Sequence, residues 1–263
     1  MEFWQLALVL LAGAGAGFIN AVVGTGTLIT FPTLLALGLP PLVANMSNTV
    51  GLFPGGVSAV VSSRQDLAGQ RNRVIRLAIA SAIGGVIGAV LLLRLPPGVF
   101  QIAVPILIAI GCVLVLLSPK VSKAAAARRE RSGAAADEPM KPAVALAVWF
   151  AVLGAGIYGG YFGAAQGVIM MGVMGMAMNE TLARLNVVKN LLVTLVNGIA
   201  AAIFIVIGPV NWPVAITIAI GSVLGAALGA RIGRKLPPTL YRVIIVTIGA
   251  IAIINEVRKL VAG

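Results

Sequence analysis

Long apolar segments separated by short polar stretches run along the whole chain. Most contain about 20 residues, enough to cross the hydrocarbon core of a bilayer as a helix. Five lie in each half, at residues 3–23, 25–38, 42–63, 74–93, 98–118, 143–163, 165–178, 182–207, 213–234 and 238–260. This pattern predicts an all-α, polytopic integral membrane protein.

The second segment of each half is too short for a full crossing. Residues 25–38 and 165–178 would each reach only about 21 Å as a helix, less than the hydrocarbon thickness. A glycine-containing break precedes each one: the first break is residues 24–26 (GTG) and the second is residues 163–167 (GAAQG). We therefore expect the first two segments of each half to form a bent or re-entrant hairpin, with its break inside the membrane.

The two halves repeat one another. Residues 17–24 (GFINAVVG) recur 139 positions later as residues 156–163 (GIYGGYFG), and residues 81–97 recur 141 positions later as residues 222–238. Internal duplication is typical of transporters whose substrate site lies between the two copies. The repeat predicts a site at the junction of the halves.

A polar segment separates the repeats. Its alanines, mixed charges and two prolines indicate a linker. We divide the chain into a first membrane repeat (residues 1–118), a cytoplasmic linker (residues 119–142) and a second membrane repeat (residues 143–263). A helix at residues 124–131 is one alternative for part of this linker.

Basic residues predict how the repeats face the membrane. If each hairpin crosses the membrane an even number of times, each half makes an odd number of crossings in total. The two repeats then insert in opposite orientations. Of the 19 basic residues, 15 then face the cytoplasm, three face outward and Lys189 lies in the membrane. Parallel repeats would place 12 inside and six outside. The positive-inside rule favours two inverted repeats.

Composition narrows the function classes. The chain is 60% hydrophobic and 10% charged, which makes the bilayer its solvent. Its net charge of +12 follows from topology, and no aromatic-rich polar surface indicates nucleic-acid binding. It has no histidine and a single cysteine, Cys112, so we expect no metal site, no disulfide and no cofactor.

Polar side chains inside the apolar segments mark the candidate site, because each costs free energy there unless a partner or a substrate compensates. Helices that begin inside the membrane also expose N–H donors and a positive dipole end, which suit an anion. We predict a substrate site at the two breaks. Its residues are Gly24, Thr25, Gly26, Thr27, Asn45, Ser47, Asn48, Gln166, Gly167, Asn186, Lys189 and Asn190.

Each of these assignments has a structural alternative. Lys189 is either a counter-ion for an anion or snorkels to the cytoplasmic interface beside Arg184. The amides and hydroxyls could equally join helices by hydrogen bonds, and the glycines of the breaks could serve tight helix crossing. The repeat sets Thr27 against Gln166 and Ser47 against Asn186.

Two GxxxG pairs have a simpler interpretation. Gly84 and Gly88 in the first half, and Gly225 and Gly229 in the second, lie within regular apolar segments. Small residues at this spacing let helix backbones approach closely in lipid. We predict packing seams there and no ligand.

The acidic residues bear on the transport mechanism. None of the seven lies deep in a predicted segment, so no carboxylate is placed to relay protons. Export of an anion is helped by a negative-inside potential, by about 2.3 kcal/mol per charge per 100 mV, whereas uptake would need coupling. Glu180, near a segment boundary, is the one residue that would support a proton route.

The chain resembles the TauE/SafE family of sulfite and sulfonate-related anion exporters. The matching segments are residues 17–26 (GFINAVVGTG), 38–44 (GLPPLVA), 156–163 and 221–238. The resemblance implies a transporter of sulfite, sulfoacetate or other small sulfur-containing or organic anions. Residues 164–167 (AAQG) stand where the family often has Gly-x-Gly-Gly, and we expect specificity to lie there.

Together these observations predict a multi-pass transporter of the cell's inner membrane, not an enzyme. It would export a small anion, sulfite or an organosulfonate such as sulfoacetate, by alternating access. One alternative is import of sulfate-like or other small anions with proton coupling, and a remote one is a membrane enzyme or assembly subunit. The expected partners are the small anion and the lipid bilayer, with a homodimer left open and no nucleic acid.

Overall fold

Helices account for nearly all of the computed structural model, which describes residues 2–132, 141–233 and 238–262. The described residues form ten α-helices and a 3₁₀ turn at Arg64–Leu67, with no β-strand among them. In chain order, α1 to α10 are Phe3–Val22, Thr27–Ala36, Pro41–Ser62, Arg71–Arg94, Pro97–Ser132, Pro142–Tyr161, Gln166–Ala177, Leu182–Ile207, Trp212–Ile232 and Pro238–Ala262. The all-α prediction is confirmed.

Seven of these helices, α1, α4, α5, α6, α8, α9 and α10, are long and apolar enough to cross a membrane. The protein is therefore a multi-pass membrane protein. Helix α3 is long enough at 22 residues, but polar side chains in its first half, Asn45 and Asn48 among them, lower its hydropathy. Helices α2 and α7 contain only 10 and 12 residues.

The short helices follow sharp changes of chain direction at the two breaks. Gly24 ends the α1 segment with φ +87°, and Gly163 ends the α6 segment with φ +78°. Left-handed backbone of this kind costs glycine little and other residues more. Ala165, with φ 60°, is the one non-glycine residue with positive φ in the described part of the chain, and it immediately precedes α7.

The helix boundaries locate the gap between the repeats. Helices α1 and α6 begin 139 positions apart, whereas α3 and α8 begin 141 apart, because α7 is two residues longer than α2. The predicted pairing of Ser47 with Asn186 is therefore wrong: Asn45 corresponds to Asn186, and Asn48 corresponds to Lys189. The pairing of Thr27 with Gln166 holds, since these are the first residues of α2 and α7.

Helices of one half pack on helices of the other half. Helix α1 packs on α9 and α6 packs on α4; α3 packs on α9 and α8 on α4; α5 packs on α7 and α10 on α2. Two further contacts, α3 with α8 and α5 with α10, pair equivalent helices. Each contact has a counterpart when the halves are exchanged, so the repeats interlock. Their opposite orientation in the membrane stays a prediction.

Glycine seams hold two of these interfaces. A Cβ added at Gly84 would lie 2.8 Å from the backbone nitrogen of Ile157 on α6. One added at Gly229 would lie 3.0 Å from the Cα of Phe18 on α1. Gly88 and Gly225 are equally close to the facing backbones, so the predicted seams are confirmed.

Helix α5 extends beyond the first membrane repeat. It continues to Ser132 through Pro105 and Pro119. The first part of the predicted linker, including residues 124–131, is therefore helical, and residues 133–140 of the linker lie outside the described residues.

The seam between α1 and α9 should depend on the absence of a single methyl group. An added Cβ at Gly225 would overlap Ala14, whereas one at Gly154, in the middle of α6, meets nothing within 4 Å. We expect Gly225→Ala to destabilise the protein by about 1–3 kcal/mol through overpacking, and Gly154→Ala to be neutral or slightly stabilising. Thermal unfolding in detergent, followed by size-exclusion chromatography, measures both. Equal stability of the two variants would contradict the close seam.

Candidate functional site

The two breaks meet. The backbone N–H of Gly167 donates a hydrogen bond to the carbonyl oxygen of Gly24, with the N and O atoms 3.2 Å apart. A Cβ added to either glycine would lie 2.6 Å from the Cα of the other. Glycine at both positions is thus what allows the breaks of the two halves to touch.

Helix α1 ends in the interior against polar side chains of α8. The Nδ2 atoms of Asn186 and Asn190 donate to the carbonyl oxygen of Ala21 at 3.1 and 3.2 Å, and Lys189 Nζ donates to the carbonyl oxygen of Asn20 at 3.3 Å. The last carbonyls of a helix have no partner within it and carry the negative end of its dipole. Three predicted site residues therefore satisfy the broken end of α1.

The end of α6 is satisfied in the same way by the other half. Asn45 Nδ2 on α3 donates to the carbonyl oxygen of Tyr161 at 3.1 Å. Asn45 and Asn186 are the pair that the helix boundaries align, so equivalent amides perform equivalent roles. Each half supplies the cap for the helix that breaks in the other half.

Lys189 lies at the point where the breaks meet. It is fully buried, and its Cδ lies 3.1 Å from the position of a Cβ at Gly167. The snorkelling alternative is therefore wrong, because the side chain is directed into the protein. An ammonium has three N–H donors, and the described residues supply a hydrogen-bond acceptor, Asn20, to only one of them.

No carboxylate pairs with Lys189 among the described residues. The ion pairs they form are Arg73–Glu180, Arg184–Glu180 and Lys259–Glu256. A charged group inside a membrane protein is normally paired with an opposite charge or faces a polar cavity. Lys189 thus offers a buried amino group with unused hydrogen-bond donors at the junction of the halves.

A second polar group surrounds the start of α2. Asn48 Nδ2 on α3 donates to Thr27 Oγ1 at 3.4 Å, and the hydroxyl of Thr30 donates to Asn48 Oδ1. All three side chains are buried. Thr30 was not among the predicted site residues. A second threonine one turn after Thr27 in an apolar segment is the pattern that could have identified it.

Several buried polar atoms beside the breaks have no hydrogen-bond partner in the described part of the chain. They are Thr25 Oγ1 and both amide atoms of Gln166, in residues no more than 1% exposed, together with Asn45 Oδ1. The backbone N–H groups of Thr25, Gly26 and Thr27 likewise lack an acceptor there. Such groups cost free energy when left unmatched, which makes the breaks the candidate site.

Ser47 is not part of this group. Its buried hydroxyl accepts a hydrogen bond of 2.8 Å from the backbone N–H of Asn211, the residue before α9. The contact joins α3 to the start of α9, which is a structural role. The wrong pairing of Ser47 with Asn186 had suggested a place in the site instead.

Glu180 lies in a separate buried cluster between α7 and α8. Its two carboxylate oxygens contact Arg73 Nη1 and Arg184 Nε, each at 2.8 Å. Arg73 also donates to Gln70 Oε1 at 3.2 Å. The cluster ties the start of α4 to the start of α8.

A protein-family model described as sulfite exporter TauE/SafE matches residues 9–255, which include both breaks and every predicted site residue. The chain belongs to this family. TauE/SafE membership and the seven apolar helices agree on a membrane transporter.

Curated relatives carry similar descriptions. The chain is 33% identical over 109 residues to "Probable membrane transporter protein ORF9" of a Sinorhizobium species, spanning 41% of both chains. It is 28% identical over 167 residues to a "Probable membrane transporter protein" of Haemophilus influenzae, spanning 63% of this chain and 60% of the relative. The Escherichia coli K12 "Probable membrane transporter protein YfcA" is 30% identical over 115 residues, 43% of this chain and 42% of YfcA.

These alignments therefore span less than two thirds of the length of each relative. No solved structure matches the chain. The descriptions of these relatives name a membrane transporter without naming its substrate.

Contact between the breaks can be separated from backbone strain. Gly24 and Gly38 have nearly the same φ, +87° and +85°, but an added Cβ meets Gly167 at the first and nothing within 4 Å at the second. Alanine should cost each position about 1 kcal/mol of stability through backbone strain. Only Gly24→Ala should lose about 1–3 kcal/mol of stability more, through the clash with Gly167. Thermal unfolding of both variants tests this, and equal losses would show that the breaks do not touch.

Proposed function

We propose that this TauE/SafE transporter exports a small anion from the cytoplasm across the inner membrane by alternating access between its two halves. The substrate we infer is sulfite or an organosulfonate such as sulfoacetate. The observation that carries the proposal is Lys189, fully buried beside the contact of the two breaks and without a carboxylate partner among the described residues.

Electrostatics supports an anion at this place. A buried, unpaired cation carries a large desolvation cost, and a bound anion would offset it. Lys189 lies near the carbonyl oxygens at the end of α1, which would repel a bound anion. The ammonium would weaken this repulsion by lying between those oxygens and the anion. An anion on the far side of Nζ would use the N–H donors that Asn20 leaves free.

Neighbouring groups supply further donors for an oxyanion. Gln166 offers an amide NH₂ and Thr25 offers a hydroxyl, both unpartnered and buried among the described residues. The free N–H groups at the first break add the positive end of the α2 dipole. Several donors near the contact of the two breaks would suit an anion with several oxygen atoms, such as a sulfite or a sulfonate group.

The buried carboxylates support export without proton coupling. Glu180 is held by Arg73 and Arg184, and Glu256 is held by Lys259 with the Nζ and Oε1 atoms 2.7 Å apart. Each is thus committed to a structural ion pair. Proton-coupled import through Glu180 gains no support from this arrangement, whereas the membrane potential itself favours the exit of an anion.

Lys189 should be required for anion binding. We expect Lys189→Met to weaken binding by roughly 10–100-fold, the loss of about 1.5–3 kcal/mol typical of a hydrogen bond to a charged group. Lys259→Met is the matched control, because Lys259 is half-exposed and paired with Glu256. Stabilisation of the purified proteins against heat by sulfite, sulfate, thiosulfate, sulfoacetate and taurine measures binding.

Equal stabilisation of the wild type and Lys189→Met would remove Lys189 from the site. A loss shared with Lys259→Met would point to a general effect of charge and would contradict the proposed role as well.

Transport should follow the membrane potential. In proteoliposomes loaded with sulfite or sulfoacetate, efflux should accelerate when an ionophore sets the interior negative, because anion exit is then downhill. A pH gradient at zero potential should leave the rate unchanged. Flux that appears only when a proton gradient is imposed would instead establish coupled transport.

A further inference from the structure

Two cavities lie beside corresponding pairs of helices in the two halves. The first, about 400 Å³, lies between α5, α7 and α10. The second, about 520 Å³, lies between α10, α2 and α1. Met171 and Gly172 line the first, and their counterparts 139 positions earlier, Pro32 and Thr33, line the second. The walls that α5 and α7 give the first cavity and α10 and α2 give the second are therefore related by the internal repeat, and differences between the cavities distinguish the two halves.

The lining of the first cavity includes residues next to both breaks. Val22 and Val23, which directly precede Gly24, form part of its lining. Val168, which directly follows Gly167, forms another part. Because Gly24 and Gly167 contact each other, the inner end of this cavity lies against the proposed substrate site.

Positive charge lines the same cavity further out. Lys123 on α5 is exposed and Arg242 on α10 is partly exposed, and both contribute to its lining. Neither forms an ion pair within the described residues, and none of the described residues that line this cavity is a carboxylate. In the second cavity, by contrast, Lys259 is neutralised by Glu256. Of these two cavities, as far as the described residues show, the first presents to an approaching anion a positive charge that no carboxylate offsets.

Aromatic side chains fill the route in the other half. Phe162 makes edge-to-face contacts with Phe31 and Phe100, with ring centroids 5.1 and 6.2 Å apart, and all three are no more than 1% exposed. By the repeat, Phe162 and Phe100 correspond to Val23 and Tyr241 of the first cavity. None of the described residues that line the second cavity is adjacent to a break. Buried aromatic side chains thus occupy the positions that correspond to Val23 and Tyr241.

We propose that the first cavity is the entrance vestibule of the transporter, in which Lys123 and Arg242 form a recruiting subsite for small anions. Phe31, Phe100 and Phe162 close the equivalent route on the opposite side. This inference rests on the proposed anion transport. In the inverted arrangement that the charges predict, both basic residues face the cytoplasm, which is the side from which an exported anion enters.

Charged thiol reagents can measure the field in the vestibule without measuring transport. In full-length protein with Cys112→Ala, a single cysteine is introduced at Met171, or at Ser122 as a second position, since both line the cavity. The rate of modification by an anionic methanethiosulfonate is then divided by the rate with its cationic analogue. The test variant is Lys123→Gln with Arg242→Gln, and the control is Arg258→Gln with Lys259→Gln, which removes the same charge elsewhere.

We expect the ratio of rates to fall about fivefold in the test variant, as two charges at roughly 8–10 Å in salt solution would give, and to stay unchanged in the control. Cysteines at both positions that resist both reagents would overturn the vestibule, and so would equal ratios in test and control. A lower ratio without any anion flux in proteoliposomes would support the vestibule and count against the proposed function instead.

Discussion

The structure depends on satisfying two helix ends that lie inside a membrane protein. Helices α1 and α6 stop at the breaks, and their last carbonyl groups cannot rely on bulk water. Asn186 and Asn190 supply donors to the end of α1, and Asn45 supplies one to the end of α6. Because each donor comes from the opposite repeat, neither half can complete its own hairpin. This exchange explains why the repeats interlock and why their breaks meet at Gly24 and Gly167.

Function is proposed to arise where the two repeats depart from symmetry. At corresponding positions of α3 and α8, one repeat has Asn48, which is bonded to threonines of α2, and the other has Lys189. One half thus provides a closed polar contact and the other a cation with free donors. Similarly, Phe162 fills the space that Val23 leaves open in the other half. In this proposal, departures from symmetry give a duplicated fold one charged site and one open side.

Much of this could be predicted because membrane sequences are strongly constrained. The lengths of the apolar segments predicted the helices, and the GxxxG spacing of Gly84 and Gly88 predicted a close helix-packing seam, because both features depend on local sequence pattern alone. The partner of Lys189 could not be predicted, because Asn20 binds through its backbone oxygen, which any residue would provide. The contact of Ser47 with Asn211 was missed because the two-residue difference between α2 and α7 cannot be placed without helix boundaries.

The central claim is that Lys189 and the two breaks hold an oxyanion, and anomalous diffraction tests it directly. Crystals of the purified protein soaked with selenite, the selenium analogue of sulfite, and measured at the selenium absorption edge would locate the ion. We expect an anomalous peak for a selenite ion whose oxygens lie within hydrogen-bond distance of Lys189 Nζ and of Thr25 or Gln166. Ordered selenite found only elsewhere, with this position occupied by water or protein alone, would contradict it.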